Sequence, residues 1–307
     1  MGFGLRADLR AFRIIRKLFR LGGFIVKQII TDTVAALAAV STDRALRCSH
    51  AFPPPDRSEI VRVVKALQAL LFPLCFRREH ERMSDEALLE STMQDLCTQM
   101  ENALRFAGRE ENAAALCDAF AARLPWIKEM LLKDVDALYE GDPAASCREE
   151  VMICYPGFYA VSIYRIAHEL YRLRVPLIPR IMTEFAHEKT GIDIHAGASI
   201  GEYFFIDHGT GIVIGETTTI GNHVKLYQGV TLGARSFELD DDGNPVKGIK
   251  RHPDIGNNVV IYANATILGG DTVIGDNSVI GGNTWLTRSV DAGSTVYYDS
   301  GASRRKE

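Results

Sequence analysis

The last third of the chain carries an aliphatic residue at every sixth position, and glycine or a small polar residue follows many of them. Short repeats of this length are typical of a parallel β-helix, in which each repeat supplies one short strand and one turn. The pattern predicts stacked coils with one thin buried ladder. The ladder positions are Ile194, Ile200 and Ile206; Ile214, Ile220, Leu226 and Leu232; Ile255, Ile261 and Ile267; and Ile274, Ile280 and Leu286.

Three interruptions of the repeat force extra residues out of the coil. The first adds two residues between Ile206 and Ile214, at the sequence Asp-His-Gly-Thr-Gly of residues 207–211. The second, residues 234–252, is polar and rich in turn-forming residues, which predicts a loop at one corner. The third adds one residue after Ile267. Because binding and catalytic residues collect on loops that a rigid scaffold holds, we expect function at these breaks.

The residues before the repeat show apolar side chains at three- and four-residue spacing, which is typical of amphipathic helices. The stretches with this spacing are Ser58–Phe76, Ser84–Phe106, Asn112–Tyr139, Tyr159–Leu173 and Pro179–Lys189. We therefore predict an α+β fold class, in which an N-terminal all-α helical domain is followed by a left-handed parallel β-helix of hexapeptide repeats. The left hand is that of the known hexapeptide families.

The predicted organisation has four parts. A leading amphipathic helical segment occupies residues 1–56 and ends at a run of three prolines, which marks a boundary. The α-helical domain follows at residues 57–190. The β-helix occupies residues 191–290 and contains the loop insertion at 234–252, and residues 291–307 form a C-terminal tail.

The leading segment mixes basic and apolar side chains, and two explanations stay open. It can bind a membrane surface or act as a targeting signal, or it can be a helix that packs on a neighbour. We favour the packing helix, because basic amphipathic helices are common. Lys27 and Asp32 interrupt the apolar stretch of residues 21–40, which argues against a transmembrane span. The basic residues are Arg6, Arg10, Arg13, Arg16, Lys17 and Arg20.

Composition excludes some functions. A formal net charge of −4 argues against a nucleic-acid partner. The six cysteines all precede the repeat, and their irregular spacing matches no zinc or redox motif. Reduced thiols in a cytoplasmic protein are the simpler interpretation. The histidines of the repeat do not show the spacing of metal ligands, so we predict no metal site.

His208, on the two-residue bulge, is the main candidate for chemistry. Asp193 precedes it by fifteen residues, about one coil, so stacking of coils can bring this carboxylate to the imidazole. A carboxylate on one ring nitrogen fixes the tautomer and leaves the other nitrogen as a general base. The nucleophile would be a hydroxyl of the substrate. The structural alternative is a corner histidine that only bonds the backbone.

Several motifs, in the same order, resemble the serine O-acetyltransferase family of hexapeptide acyltransferases. The resemblance runs from about Asp142 to Thr287, and its motifs are residues 192–198 (IDIHAGA), 207–217 (DHGTGIVIGET), 228–233 (QGVTLG) and 250–253 (KRHP). It implies that His208, oriented by Asp193, deprotonates the L-serine hydroxyl as it attacks acetyl-CoA. A backbone N–H would stabilise the oxyanion. The products would be O-acetyl-L-serine and CoA, in the first step of cysteine biosynthesis.

The resemblance also implies which residues hold serine. Asp142 and Asp207 would bind the ammonium group, and Arg251 and His252 would bind the carboxylate. Anions for the ammonium and a guanidinium for the carboxylate suit a zwitterion. Two of these residues have simpler explanations. Asp142 would also serve as a helix N-cap before Pro143, and Arg251 would also suit a surface position beside an acidic loop.

For the donor, the resemblance implies acetyl-CoA in a groove between coils of adjacent subunits. Backbone at Gly233, Ala234 and Ala263 would contact it, since small residues allow a close approach. Family members commonly carry glycine where this chain has Ala234 and Tyr262. The co-substrate is acetyl-CoA, and no metal is expected.

The implied assembly is a homotrimer, and the helical domain could pair two trimers. The family's tail carries a Gly-x-Pro-Ala segment and a terminal isoleucine that docks into O-acetylserine sulfhydrylase. Residues 294–307 have neither, so we expect no tail-mediated complex. Cysteine feedback inhibition is left open. Two other classes remain: a hexapeptide acetyltransferase for another hydroxyl acceptor, such as a sugar or an antibiotic, and a non-catalytic trimeric scaffold that binds no acetyl-CoA.

Overall fold

The computed structural model of the chain describes residues 27–39, 52–76 and 83–298. The chain divides into two compact units, residues 1–49 and residues 50–307. In the first unit, residues 27–39 form helix α1, whose side chains are exposed. None of the helices in the described part of the chain combines the length and the apolar character needed to cross a membrane.

Two sequence predictions fall outside the described residues. The basic residues of the leading segment, between positions 6 and 20, are one, and the end of the tail, residues 299–307, is the other. Five of the six cysteines lie among the described residues, and each of the five is a free thiol, as the sequence predicts. These five are Cys75, Cys97, Cys117, Cys147 and Cys154.

Helices α2 to α9 of the second unit precede the repeat. They are α2 (Arg57–Leu71), α3 (Pro73–Phe76), α4 (Asp85–Phe106), α5 (Ala113–Ala121), α6 (Leu124–Gly141), α7 (Arg148–Cys154), α8 (Pro156–Arg172) and α9 (Ile178–Thr190). Polar side chains cap three of the N-termini. Asp56, Ser84 and Asn112 accept hydrogen bonds from backbone amides in the first turns of α2, α4 and α5. These residue types are preferred at such positions because they satisfy amides that lack a partner within the helix.

Two predicted helices are each divided in the structure, and proline is the reason. The prediction over Ser58–Phe76 is wrong at Phe72, because α2 ends at Leu71 and α3 begins at Pro73. The prediction over Asn112–Tyr139 is wrong after Ala121, since α6 begins anew with Pro125 in its first turn. Proline lacks the N–H that would bond the carbonyl four residues earlier, so the run of helical hydrogen bonds stops while the apolar spacing continues. Helix α7, with seven residues, was too short to be predicted from periodicity.

The repeat forms strands of two or three residues. They are β1 (Asp193–Ile194), β2 (Ser199–Ile200), β3 (Phe205–Ile206), β4 (Val213–Ile214), β5 (Thr219–Ile220), β6 (Lys225–Leu226), β7 (Thr231–Gly233), β8 (Asp254–Ile255), β9 (Val260–Ile261), β10 (Thr266–Leu268), β11 (Val273–Ile274), β12 (Val279–Ile280), β13 (Trp285–Leu286) and β14 (Thr295–Val296). Sheet A has the order β1-β4-β7-β10-β13, sheet B β2-β5-β8-β11 and sheet C β3-β6-β9-β12-β14. All pairs are parallel, and the chain visits the sheets in turn. The predicted left-handed parallel β-helix is confirmed.

The ladder of aliphatic residues lies in register inside the coil. In sheet A, Ile194 pairs with Ile214, Ile214 with Leu232, and Leu232 with Ile267. Each of these four side chains is at most 2% exposed. Burying one such side chain fully stabilises a protein by about 1.5–3 kcal/mol, so the stack as a whole holds the thin core together.

Helix α8 joins the helical domain to the first coil through a buried ion pair. Arg165 donates to both carboxylate oxygens of Asp134 on α6, at 2.5 and 2.8 Å, and to the carbonyls of Ile200 and Gly201, at 3.3 and 2.8 Å. Asp134 also accepts from the Phe204 amide at 2.9 Å. The Arg165 side chain is 3% exposed and that of Asp134 is 0% exposed. Bidentate pairing satisfies both charges, which makes their burial tolerable.

The coil turns at three kinds of corner, which we name by the sheets that they join. The A–B corner contains residues 195–198, 215–218 and 234–253. The C–A corner contains residues 207–212, 227–230 and 262–265. The B–C corner contains residues 201–204 and 221–224. The C–A corner leads into strands of sheet A, and the A–B corner follows them. Residues at these two corners therefore lie at opposite ends of the sheet A strands, which we call the two edges of sheet A.

Candidate active site

The first interruption forms a loop on the C–A corner with left-handed backbone. The φ angle is +55° at His208, +84° at Gly209 and +82° at Gly211. A Cβ atom at Gly209 would lie 2.4 Å from the side chain of Ile192, so glycine is needed there for space as well as for conformation. The His208 side chain is 71% exposed. The imidazole therefore projects away from the ladder, as the bulge in the repeat predicts.

Two carboxylates lie around this imidazole. Asp207 Oδ1 is 3.6 Å from His208 Nδ1. Asp142, directly after α6, accepts hydrogen bonds from the Tyr155 hydroxyl and from the Ala144 amide. These bonds, the one from Tyr155 first, hold the pKa of Asp142 below its ordinary value, and a charge on His208 acts in the same direction. The bond from Tyr155 to Asp142 raises the pKa of the tyrosine to about 12. Asp142 is therefore an anion at neutral pH.

Asp142 does not have the alternative role considered above. It follows the C-terminus of α6 as the C-cap residue, and its side chain accepts from an amide in a turn. The next α-helix, α7, begins at Arg148 after Cys147. The helix N-cap explanation for Asp142 is therefore wrong, and its carboxylate lies at the same edge of sheet A as His208.

Asp193 lies at the start of β1, where α9 leads into the coil. The potential ligand atoms of Glu184, His187 and Asp193 all lie within 4.8 Å of one another, and each of these residues is partly buried. Among residues 83–298, no hydrogen bond or ion pair joins Asp193 to His208. The predicted pairing of these two residues stays a prediction. Glu184, His187 and Asp193 are also the described residues whose geometry would suit a metal ion.

His252 is a buried residue of the A–B corner. Its Nδ1 accepts a hydrogen bond from the Thr217 amide at 3.1 Å, which leaves the proton of the neutral ring on Nε2. A Cβ atom at Gly215 would lie 2.0 Å from the ring, so this glycine makes room for the histidine. Burial first, and then the Arg251 charge, lower the pKa of His252 to about 4. At neutral pH the ring is therefore an uncharged hydrogen-bond donor.

This lowered pKa predicts a loss of stability in acid. Between pH 4 and 6.5, the unfolded chain protonates His252 while the folded chain does not, so the free energy of unfolding falls as the pH is lowered through this range. The contribution is at most about 1.4 kcal/mol per pH unit. When the pH is lowered from 7 to about 4.5, we expect the melting temperature of His252→Asn to fall less than that of the unsubstituted chain. Equal losses in the two proteins would contradict the lowered pKa. The exposed His223 provides a control, as His223→Asn.

Arg251 is not an isolated surface arginine. Its Nη2 donates to Glu216 Oε2 at 2.5 Å, and the two side chains are 22% and 25% exposed. The hydroxyl of Tyr171, on α8, donates to the other oxygen of Glu216 at 2.9 Å. Glu216 was not predicted as a site residue, although it lies within the motif of residues 207–217. Tyr155 and Tyr171 were also missed, because their importance depends on which residues the helical domain places beside the coil.

The residues assigned to serine occupy opposite edges of sheet A. His208 and Asp207 lie on the C–A corner, whereas Arg251 and His252 lie on the A–B corner. Within the described part of the chain, no hydrogen bond or ion pair joins the two pairs of residues. A single chain therefore presents two halves of the predicted acceptor site, each with its own charge.

The residues assigned to acetyl-CoA are divided in the same way. Gly233 and Ala234 lie at the A–B edge of sheet A, and Ala263 lies on the C–A corner. The Ala263 carbonyl accepts from the Asn283 amide at 2.9 Å, whereas no backbone acceptor for the Ala263 amide is found among the described residues. Beside it, Tyr262 stacks on Tyr227, with ring centroids 5.1 Å apart. The C–A corner therefore carries a stacked aromatic pair beside Ala263.

Comparison with known proteins identifies the family. No family model matches the chain. A protein of Synechococcus elongatus named serine acetyltransferase, plasmid, is 45% identical in an alignment of 289 positions that covers 87% of this chain and 90% of that protein. The chain belongs to the serine acetyltransferase family. The family prediction from the motifs is confirmed, and the protein is an acyltransferase.

Solved structures agree with this family. Serine acetyltransferase 1 of Entamoeba histolytica, in complex with L-cysteine, is 40% identical, with a TM-score of 0.69 over 76% of this chain and 86% of that one. Isoform 3 from the same organism, in complex with cysteine, is 34% identical, with a TM-score of 0.68 over 93% of this chain and 96% of that one. The similarity includes the helical domain as well as the coil, since it extends over nearly the whole chain.

Proposed function

We propose that this acyltransferase is a serine O-acetyltransferase that transfers the acetyl group of acetyl-CoA to the hydroxyl of L-serine. The products are O-acetyl-L-serine and CoA, as in the first step of cysteine biosynthesis. The observation that carries the proposal is the pair of half-sites on sheet A. An exposed imidazole with two anions lies at one edge, and a guanidinium with a neutral histidine donor lies at the other. Together they complement both charges of an amino acid.

In this mechanism, both substrates bind before any bond changes. Asp142 and Asp207 hold the ammonium of serine, while Arg251 and the Nε2–H of His252 hold its carboxylate. His208 removes the hydroxyl proton as the oxygen attacks the thioester carbonyl. The C–S bond then breaks, and the imidazolium returns its proton to the CoA thiolate. Asp193 is the proposed partner that orients His208, and a backbone N–H stabilises the oxyanion.

The separation of the half-sites supports a homotrimer as the active form. If the C–A corner of one subunit faces the A–B corner of the next, the two halves of the acceptor site meet between subunits. The same arrangement would place Ala263 opposite Gly233 and Ala234, which gives acetyl-CoA a groove along the same interface. The alternative assembly is a hexamer, in which two trimers pair through the helical domain. A cytoplasmic location and the absence of a tail-mediated complex with the sulfhydrylase stay predictions.

The test of the proposed function is CoA release from acetyl-CoA, measured by thiol titration with a panel of hydroxyl acceptors. We expect release with L-serine and little with sugars or an aminoglycoside, because only an amino acid uses both half-sites. Asp142→Asn should raise the serine KM, since it removes one anion that faces the ammonium. CoA release with another acceptor but not with L-serine would show that the acceptor is a different hydroxyl compound. No release and no acetyl-CoA binding would favour the scaffold.

A further inference from the structure

We propose that Tyr262 and Tyr297 hold the purine base of the acyl donor between their rings. The inference deepens the proposed function and rests on it, because it takes acetyl-CoA as the donor. It gives a role to two exposed aromatic residues that the mechanism does not use. It also assigns a binding site to the part of the donor that lies farthest from the reacting thioester.

The two tyrosines belong to one column of outward-facing residues on the C–A corner. The strands of sheet C end in aliphatic residues that pair in register from coil to coil, namely Ile206, Leu226, Ile261, Ile280 and Val296. Because side chains alternate along a strand, the residue after each of these points away from the core. The residues at these positions, which we call the C–A column, are Asp207, Tyr227, Tyr262, Gly281 and Tyr297.

Within the C–A column, Tyr262 is held by its neighbour in the preceding coil. It stacks on Tyr227, with ring centroids 5.1 Å apart and an angle of 13° between the ring planes. Tyr227 in turn meets the ring of Phe205 edge to face, with centroids 6.0 Å apart. Although one face of its ring is covered in this way, Tyr262 is still 45% exposed. A ligand can therefore reach a ring whose orientation is already fixed.

Gly281 leaves the next level of the C–A column without a side chain. Its φ lies outside the left-handed region, so the backbone conformation does not require glycine here. A Cβ atom at this position would lie 3.0 Å from the Val296 carbonyl oxygen and 3.2 Å from Tyr297 Cδ1. Glycine is therefore needed for space, and no side chain of the column stands between the levels of Tyr262 and Tyr297.

The spacing of the coils suits a planar ring between the two tyrosines. Neighbouring strands lie about 4.8 Å apart, so the backbones of Tyr262 and Tyr297, two levels apart, are separated by about 9.6 Å. Interacting aromatic rings have centroids about 4.5–7 Å apart, and an inserted ring makes two such contacts. Tyr297 is 74% exposed, so few contacts oppose the closing of its ring on a base.

The position of Gly281 along the coil favours a long ligand. Asp207, beside His208, begins the C–A column, and Gly281 lies three coil spacings further, about 14 Å away. A ligand that reaches both places needs a reactive group at one end and a planar group at the other. Acetyl-CoA has this form, because its pantetheine arm and diphosphate separate the thioester from adenine. Ala263, next to Tyr262, has a backbone amide without a backbone acceptor among the described residues, which suits an amide carbonyl of the arm.

Kinetics of Tyr262→Ala and Tyr297→Ala test the proposal. We expect each change to raise the KM for acetyl-CoA at least about 5-fold, the lower end of what stacking on an aromatic side chain contributes for one base. The KM for L-serine and kcat should stay unchanged, because the base lies far from the reacting atoms. Calorimetry with CoA alone should show the same loss of affinity. A normal KM for acetyl-CoA in either variant would overturn the proposal.

Ring-preserving variants separate stacking from a merely structural role. Tyr262→Phe and Tyr297→Phe keep the ring and lose only the hydroxyl, so both should bind acetyl-CoA almost normally. The matched control is Tyr298→Ala, which removes an equally large ring that is 64% exposed and follows the C–A column. It should leave the KM for acetyl-CoA unchanged. Light scattering checks the assembly, since a changed oligomeric state in Tyr262→Ala would assign the ring to a subunit contact and overturn the proposal.

A donor without a base gives the second comparison. With S-acetylpantetheine, which lacks adenine, the ratio of kcat/KM between the unsubstituted enzyme and Tyr262→Ala should return to about one. If this donor reacts too slowly, adenosine 3′,5′-bisphosphate is the probe, because it carries the base without the arm. Its inhibition constant against acetyl-CoA should rise in both alanine variants. A penalty that persists with S-acetylpantetheine, or an unchanged inhibition constant, would contradict stacking of the base.

The outcomes also distinguish this proposal from the proposed function. If the unsubstituted enzyme binds CoA but releases none from acetyl-CoA with L-serine, the proposed function fails, and calorimetry with CoA still measures the base site. If it does release CoA with L-serine and both alanine variants keep a normal KM for acetyl-CoA, only the base site fails.

Discussion

Replacing His208 with alanine is expected to lower turnover by at least about 10²-fold, and as far as about 10⁴-fold, while the fold persists. The reason is that the serine hydroxyl is a weak nucleophile until a base removes its proton as the bond forms. Thiol titration of CoA at saturating L-serine and acetyl-CoA measures the effect, and circular dichroism checks the fold. Turnover close to that of the unsubstituted enzyme would contradict the assignment of His208 as the general base.

The chain offers a closely matched control for this experiment. His223, on the B–C corner, has φ +56° where His208 has +55°, so alanine carries the same conformational penalty at both positions. We expect His223→Ala to keep normal turnover. His208→Asn is a second test that avoids backbone strain, because asparagine tolerates this region and already occupies it at Asn258 and Asn264.

Replacing Arg165 with methionine is expected to lower the free energy of unfolding by about 3–5 kcal/mol. The substitution keeps much of the side-chain volume but leaves the Asp134 carboxylate, which is 0% exposed, without its counterion. It also removes donors from the carbonyls of Ile200 and Gly201, so the helical domain would separate more easily from the first coil. Urea unfolding followed by circular dichroism measures the loss.

Arg172, seven residues further along α8, is the control for this prediction. Its side chain is 60% exposed, and its contact with Glu169 is long, at 3.5 Å. Arg172→Met should therefore lower the free energy of unfolding by less than about 1 kcal/mol. Adding Asp134→Leu to Arg165→Met should restore part of the loss, since it removes the unpaired charge. If Arg165→Met and Arg172→Met lower stability equally, the buried pair does not hold the two parts together.

The sequence predicts the coil well because every repeat makes the same local demand. An aliphatic residue every six positions can be buried only if successive repeats stack, so Ile194, Ile214 and Leu232 find their register without information from elsewhere. The same regularity reveals its exceptions. Two extra residues after Ile206 have no place in the ladder, and this interruption predicts that the loop with His208 projects out of the coil.

Helix boundaries were predicted less well, because apolar spacing reports the buried face of a segment rather than the continuity of its hydrogen bonds. The spacing runs through Pro73 and Pro125, whereas the helices stop before them. The domain boundaries and the roles assigned to the site residues stay predictions.

By itself, the sequence determined the repeat, the loop at His208 and the family, and it contains the charged residues that we propose bind an amino acid. Only the tertiary structure decided how those residues are grouped. It places His208 and Arg251 at opposite edges of sheet A, and it brings Tyr171 to Glu216 across 45 residues of chain. Periodicity predicts only whether a residue of the repeat points into or out of the coil. The contact of Tyr171 with Glu216 depends instead on how α8 packs against the coil. No local pattern encodes that packing.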